Sequence, residues 1–132
     1  MCRAFHDFSP YRDIPFSAEK VYKLFESYTL APRGFTCILV EDEVKPHGIL
    51  FGVCDDLHFS NTRAATELIW WVDPDARKGR SGIMLFEAFT LWAKTVDAQY
   101  VSFTNTAETT DLHKLYLHKG LKPVETTYIR KL

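Results

Sequence analysis

Arg77, Lys78 and Arg80 stand together in a short stretch that also holds Gly79 and Gly82. Cations interleaved with glycines suit the binding of an anion, and the flanking sequence says how. The apolar run Leu68 to Val72 ends at Asp73-Pro74, and an apolar helical pattern begins at Gly82. The order is strand, turn, cationic loop, helix. Such a junction leaves backbone N–H groups unpaired at the positive end of a helix dipole, where phosphates bind. The formal net charge of the chain is −1, so no global field gathers polyanions and any phosphate binding must be local.

Two familiar phosphate loops are absent. A dinucleotide fold needs GxGxxG and a P-loop needs GxxxxGK[ST], and neither occurs. Val72-Asp-Pro-Asp-Ala-Arg77-Lys-Gly-Arg-Ser-Gly82 instead resembles the acetyl-coenzyme A loop of the GCN5-related N-acetyltransferase (GNAT) superfamily. That loop usually reads hydrophobic-x-Pro-x-x-Arg-x-x-Gly-x-Gly/Ala, and Pro74, Arg77 and Gly82 are in register with it. Arg80 departs from it, standing where the family has its first glycine, while Gly79 lies one place earlier. Gly79 tolerates positive φ and can make the turn. The Arg80 side chain could add a phosphate contact or crowd the pyrophosphate. Downstream, Leu115-Tyr-Leu-His-Lys-Gly-Leu121 is similar to the family's Leu-Tyr-x-x-x-Gly-Phe, with Leu121 in place of Phe and Thr109 where Asn is frequent.

The resemblance implies acetyl-coenzyme A as cosubstrate and a primary amine, of a small molecule or a protein, as acceptor. The backbone N–H groups from Lys78 through Gly79, Arg80, Ser81 and Gly82 to Ile83 would wrap the pyrophosphate, and Arg77, Lys78 and Arg80 would supply charge. Tyr116 matches the tyrosine that protonates the leaving thiolate in many members, and with an ordinary pKa near ~10 it is protonated at neutral pH. Glu67 matches the glutamate that many members carry on the preceding strand as base. A carboxylate beside Leu68-Ile-Trp-Trp-Val72 would have a raised pKa, and alternation puts Glu67, Ile69 and Trp71 on one face. The backbone N–H at Trp71 or Val72 would serve the oxyanion. Trp70 and Trp71 read as core and pocket wall. The acceptor cleft would lie near Phe16–Phe35 and Phe103–Asp111, where Asp111, with Asp55 and Asp56, could attract a cation. The same motifs fit a catalytically silent GNAT-fold module that binds coenzyme A or a protein partner.

These residues need elements to hold them. Arg3–Phe8 reads as a short strand, and Ser17 as the N-cap of a helix from Ala18 to about Tyr28, with Phe16 and Val21 as a hydrophobic staple. Phe35–Val40, Ile49–Cys54 and Ala64–Val72 read as strands of an antiparallel meander. A very apolar helix from Gly82 to about Val96 follows, buried on most sides. Then come a strand at Tyr100–Thr104, a helix at Thr110–Lys119 ended by Gly120, and a last strand at Pro123–Arg130. The two later helices read as crossovers to parallel neighbours. The fold class is α/β (mixed α+β), a GNAT-like mixed sheet with a central antiparallel meander, parallel crossover strands and helices on both faces.

At 132 residues the chain reads as one domain, residues 1–132. Cys2, Cys37 and Cys54 show no metal spacing and read as reduced thiols, Cys37 and Cys54 as core filling. No run approaches the ~20 apolar residues of a membrane span, and the first residues lack a signal region. These observations predict a soluble cytoplasmic protein without metal, nucleic-acid or membrane partner, for which a homodimer remains open. His113 and His118 share no helix face, His47 sits in a turn and His58 in a loop, and no Ser-His-Asp signature is visible.

Overall fold

The structure is a computed structural model and describes residues 1–106 and 112–132. Thr109, Asp111 and the start of the helix expected from Thr110 lie outside the described residues. Four strands form one sheet in the order β1 (Phe35–Glu41), β2 (Pro46–Asp56), β3 (Arg63–Val72) and β4 (Tyr100–Ser102). The first three are antiparallel neighbours, and β4 runs parallel to β3. The helices are α1 (Cys2–Phe8), α2 (Ala18–Leu30), α3 (Ser81–Thr95) and α4 (His113–His118).

Side-chain alternation assigns the layers, because residues paired across strands share a face. Leu50, Cys54, Ala65 and Val72 face α3 and form the core with Leu85, Phe89, Ala93 and Val96. Phe51 and Trp71 point the other way, where Phe25 of α2 meets Phe51 at 5.6 Å and Phe8 of α1 meets Trp71 at 5.4 Å. Helices therefore cover both faces.

Gly52 lets α3 come this close, since a Cβ there would overlap the Phe89 ring. Phe89 is fully buried and cannot swing away. Gly52→Ala is expected to cost about 1–3 kcal/mol through overpacking, read as a lower urea midpoint. An unchanged midpoint would show that α3 is not seated on Gly52.

Local signals behave as the sequence predicts at two helix ends. Ser17 Oγ accepts from the Lys20 N–H at 3.3 Å, capping α2. Gly120 takes φ +82° just past α4, where the Leu121 N–H returns to the Tyr116 carbonyl at 2.9 Å.

Two expected strands are not strands. Arg3–Phe8 belongs to helix α1. Cys2, Phe5 and Phe8 recur every third residue, a helical spacing that a segment this short does not separate from alternation. Among the described residues Pro123–Arg130 pairs with no strand, and Val124 and Tyr128 are about nine-tenths exposed. A strand-forming sequence needs an edge to pair with, and the outermost strand here, β4, spans only Tyr100–Ser102. Among the described residues the sheet consequently contains one parallel crossover, through α3, rather than two.

Candidate functional site

A β-bulge decides the site. Phe51 pairs with Ile69 but Gly52 pairs with Glu67, so Leu68 is an extra residue in β3. The expected alternation of Glu67, Ile69 and Trp71 on one face is thereby broken. Glu67 shares the α3 face with its partner Gly52, as Trp70 and Val72 do, while Ile69 and Trp71 face α1 and α2. A one-residue insertion reverses every side chain beyond it, because the strand repeat is two.

Pairing between β3 and β4 covers only Ala64–Thr66. Beyond it β3 runs on to Val72 with no strand on that side among the described residues. Just past β4, Thr104 is pinned twice. Its N–H donates to Glu67 Oε2 at 3.1 Å, and its carbonyl accepts from the Tyr116 hydroxyl at 2.9 Å. The two residues nominated for acid–base chemistry, far apart in sequence, thus meet at one residue.

Glu67 is only 7% exposed, and burial pushes its carboxyl up to about 7 against the opposing pull of the Thr104 N–H. Burial also raises the Tyr116 phenol, with the nearby Glu67 carboxylate adding to it, so Tyr116 keeps its proton at neutral pH. Its ring lies in an aromatic cluster with Trp70 at 6.3 Å and Phe103 at 5.9 Å.

The cationic loop follows the other end of β3. The Asp73 N–H donates to the His47 carbonyl, and a short turn at Pro74–Ala76 leads to Arg77. The Arg77 Nε–H donates to the Val72 carbonyl at 2.9 Å, and its guanidinium stacks 4.6 Å over Trp71. Arg77 is therefore tied to the end of β3 although exposed, and Lys78, Gly79 and Arg80 are exposed too. Neither Gly79 nor Arg80 takes positive φ. Arg80 is right-handed at φ −93°, so a side chain there strains nothing, and Gly79 is not needed for its freedom. That corrects the reason expected for Gly79.

The first intrahelical bond of α3 runs from the Met84 N–H to the Arg80 carbonyl, so the amides of Ser81, Gly82 and Ile83 point out of the helix end. No acidic residue sits in that first turn. A cavity of about 170 Å³ adjoins it, lined by Phe5, Trp70, Trp71, Val72, Arg77, Gly82 and Leu112. A Cβ on Gly82 would meet only Trp70, at 3.8 Å. Both tryptophans line this cavity although their rings lie on opposite faces of the sheet.

Thr104, Phe5 and His47 carry no local signal of their parts here. Their contacts come from residues far along the chain, and no spacing rule reaches them. His47 Nε2 lies 3.0 Å from Ser81 Oγ, and its Nδ1 lies 3.7 Å from Asp42 Oδ2. Among the described residues no three His, Cys, Asp or Glu side chains converge as a metal site, and no helix is long and apolar enough to cross a membrane.

No protein-family model matches the sequence, and no curated protein does. Solved structures match its shape. A transcriptional regulator from Bacillus halodurans C-125 superposes with TM-score 0.77 at 14% identity, over 98% of this chain and 89% of that one. AAC(6')-Iy, in complex with the bisubstrate analog CoA-S-monomethyl-acetylneamine, gives 0.74 at 12% identity, over 96% and 85%. Glucosamine-6-phosphate N-acetyltransferase from Arabidopsis thaliana gives 0.72 at 15% identity, over 89% and 80%. At such identities the likeness is one of fold.

Proposed function

We propose, for a chain that has the fold of the GCN5-related N-acetyltransferases, that it transfers an acetyl group from acetyl-coenzyme A to a primary amine. One observation carries this reading. Trp70 lines the cavity beside the outward-facing amides of α3, and its ring lies 6.3 Å from that of Tyr116, whose hydroxyl shares Thr104 with Glu67.

Acetyl-coenzyme A would supply the activated thioester. The amides of Ser81, Gly82 and Ile83, with Lys78 and Arg80, would hold its pyrophosphate, and Gly79 would leave room for the turn. The pantetheine arm would run along the free edge of β3 toward Glu67. An amine lone pair attacks the thioester carbonyl, the C–N bond forms and the C–S bond breaks. The amine proton passes through water to Glu67, which faces α3, and the leaving thiolate takes the Tyr116 proton. Tyr116 must first release the Thr104 carbonyl, its partner in this structure. The Trp71 or Val72 N–H is the proposed oxyanion donor.

The acceptor would enter from the α1–α2 side. There Phe16, Ala18, Val21, Tyr22 and Phe25 line an apolar groove of about 400 Å³. A catalytically silent coenzyme A binder is favoured by one observation, the commitment of the Tyr116 hydroxyl to Thr104.

Calorimetry tests the binding step. Acetyl-coenzyme A should bind the wild type, while Gly82→Leu, which fills the cavity beside Trp70, should weaken binding at least about tenfold. Arg77→Ala should weaken it less, by loosening the loop from Val72 and Trp71. No heat at millimolar cosubstrate would refute both the enzyme and the silent binder. Thiol release across a panel of amines then separates the two.

A further inference from the structure

Ser81, the first residue of α3, is 9% exposed and lies 3.0 Å from His47 Nε2. His47 Nδ1 is also buried. It makes no hydrogen bond among the described residues and faces Asp42 Oδ2 at 3.7 Å. We propose that His47 is a positioning residue of the anion-binding turn, and that its proton sets which way the Ser81 hydroxyl points. This rests on the reading of Ser81–Ile83 as a phosphate site.

A neutral imidazole has one N–H. With that hydrogen on Nδ1, toward Asp42, Nε2 is an acceptor and takes the Ser81 hydroxyl hydrogen. The Ser81 oxygen then presents only lone pairs to an anion. A protonated imidazole donates from both nitrogens. Nε2 then gives its hydrogen to Ser81 Oγ, and the hydroxyl hydrogen turns outward, toward the ligand of the neighbouring amides. Burial leaves Ser81 little water to bond instead. One proton therefore adds a positive charge behind the helix end and converts a repelling oxygen into a donor.

The surroundings favour such a switch. Asp42 is held below its ordinary carboxylate range, first by the Lys45 N–H and then by the Val44 N–H, so it stays ionised while an imidazole titrates. Lys45 adjoins the same turn. Asp73, whose N–H bonds the His47 carbonyl, has its carboxylate engaged by Trp71 Nε1 at 2.8 Å. Asp42 is thus the carboxylate that balances His47.

The test is calorimetry of coenzyme A at about pH 6 and about pH 8, the span across which histidine changes charge. Wild type should bind about tenfold tighter at the lower pH than the coenzyme's own phosphate titration accounts for. That phosphate contribution is measured with His47→Gln, whose fixed amide donor titrates over no part of the range. In His47→Gln the excess should vanish, and in Ser81→Ala it should shrink. Retention of the full excess in either variant overturns the proposal. Circular dichroism shows whether the variants fold. If His47→Gln does not, the wild type still decides by NMR, because an anion favoured by a proton must raise the pH at which His47 titrates. No such rise on adding coenzyme A overturns the switch alone. Absence of any coenzyme A binding at either pH removes the phosphate site and the switch together.

Discussion

Glu67→Gln is expected to lower acetyl transfer by about 10²–10³-fold, the usual contribution of a positioned base, and to remove the rise of kcat/KM through about pH 7. Gln keeps the shape and can still accept from the Thr104 N–H, so the local structure should stay intact while the base is lost. The same substitution should alter stability in a defined direction. The Glu67 carboxyl is raised from 4.5 to about 7 in the folded chain. Between those pH values the unfolded chain gives up its proton and the folded chain keeps it. Wild-type stability should therefore fall as pH rises from about 4.5 to 7, by roughly 3 kcal/mol in all, and level off above. Glu67→Gln should show no such fall. Urea titrations at several pH values give the second readout, and kcat/KM profiles the first. A variant as active as wild type with the same profile would leave solvent as the base.

Tyr116→Phe is expected to reduce kcat by about 10²-fold if the phenol protonates the thiolate, with little change in KM. The variant also loses the bond to the Thr104 carbonyl, at about 1 kcal/mol in stability. The leaving group separates the two effects. An acetyl donor with a more acidic thiol needs no proton on departure, so the variant should approach wild type with that donor if Tyr116 is the acid. If instead the hydroxyl serves only to pin Thr104, both donors should suffer alike. Undiminished turnover with acetyl-coenzyme A removes Tyr116 from the chemistry.

The open helix end at Ser81–Ile83 was legible in the chain, whereas Glu67 and Tyr116 were legible only as residue types. Leu68–Val72, the Pro74 turn and the apolar helix are local patterns, so the outward-facing amides of Ser81–Ile83 followed from them. The cationic triplet was read as a set of phosphate contacts. In the fold all three are exposed, and Arg77 is bound to Val72 and Trp71. Glu67 and Tyr116 were nominated by their types and by resemblance. Their meeting at Thr104 depends on where the chain after β4 departs from β3, and no residue of either segment encodes that departure alone.

Where one or two neighbouring residues decide the conformation, the sequence by itself determined the outcome. Ser17 caps α2, and Gly120 adopts the left-handed turn that ends α4. The apolar periodicity of Ser81–Thr95 buries α3 against the sheet. Tertiary structure decided whatever depends on a partner distant in the chain. Leu68 bulges because of its register with Phe51 and Gly52, and that single extra residue turns Glu67 from the α1–α2 side to the α3 side. Ser81 and His47 meet because β2 and the start of α3 are brought together by packing. Caps and periodicity act within a turn of chain, whereas register and proximity are properties of two chain segments at once.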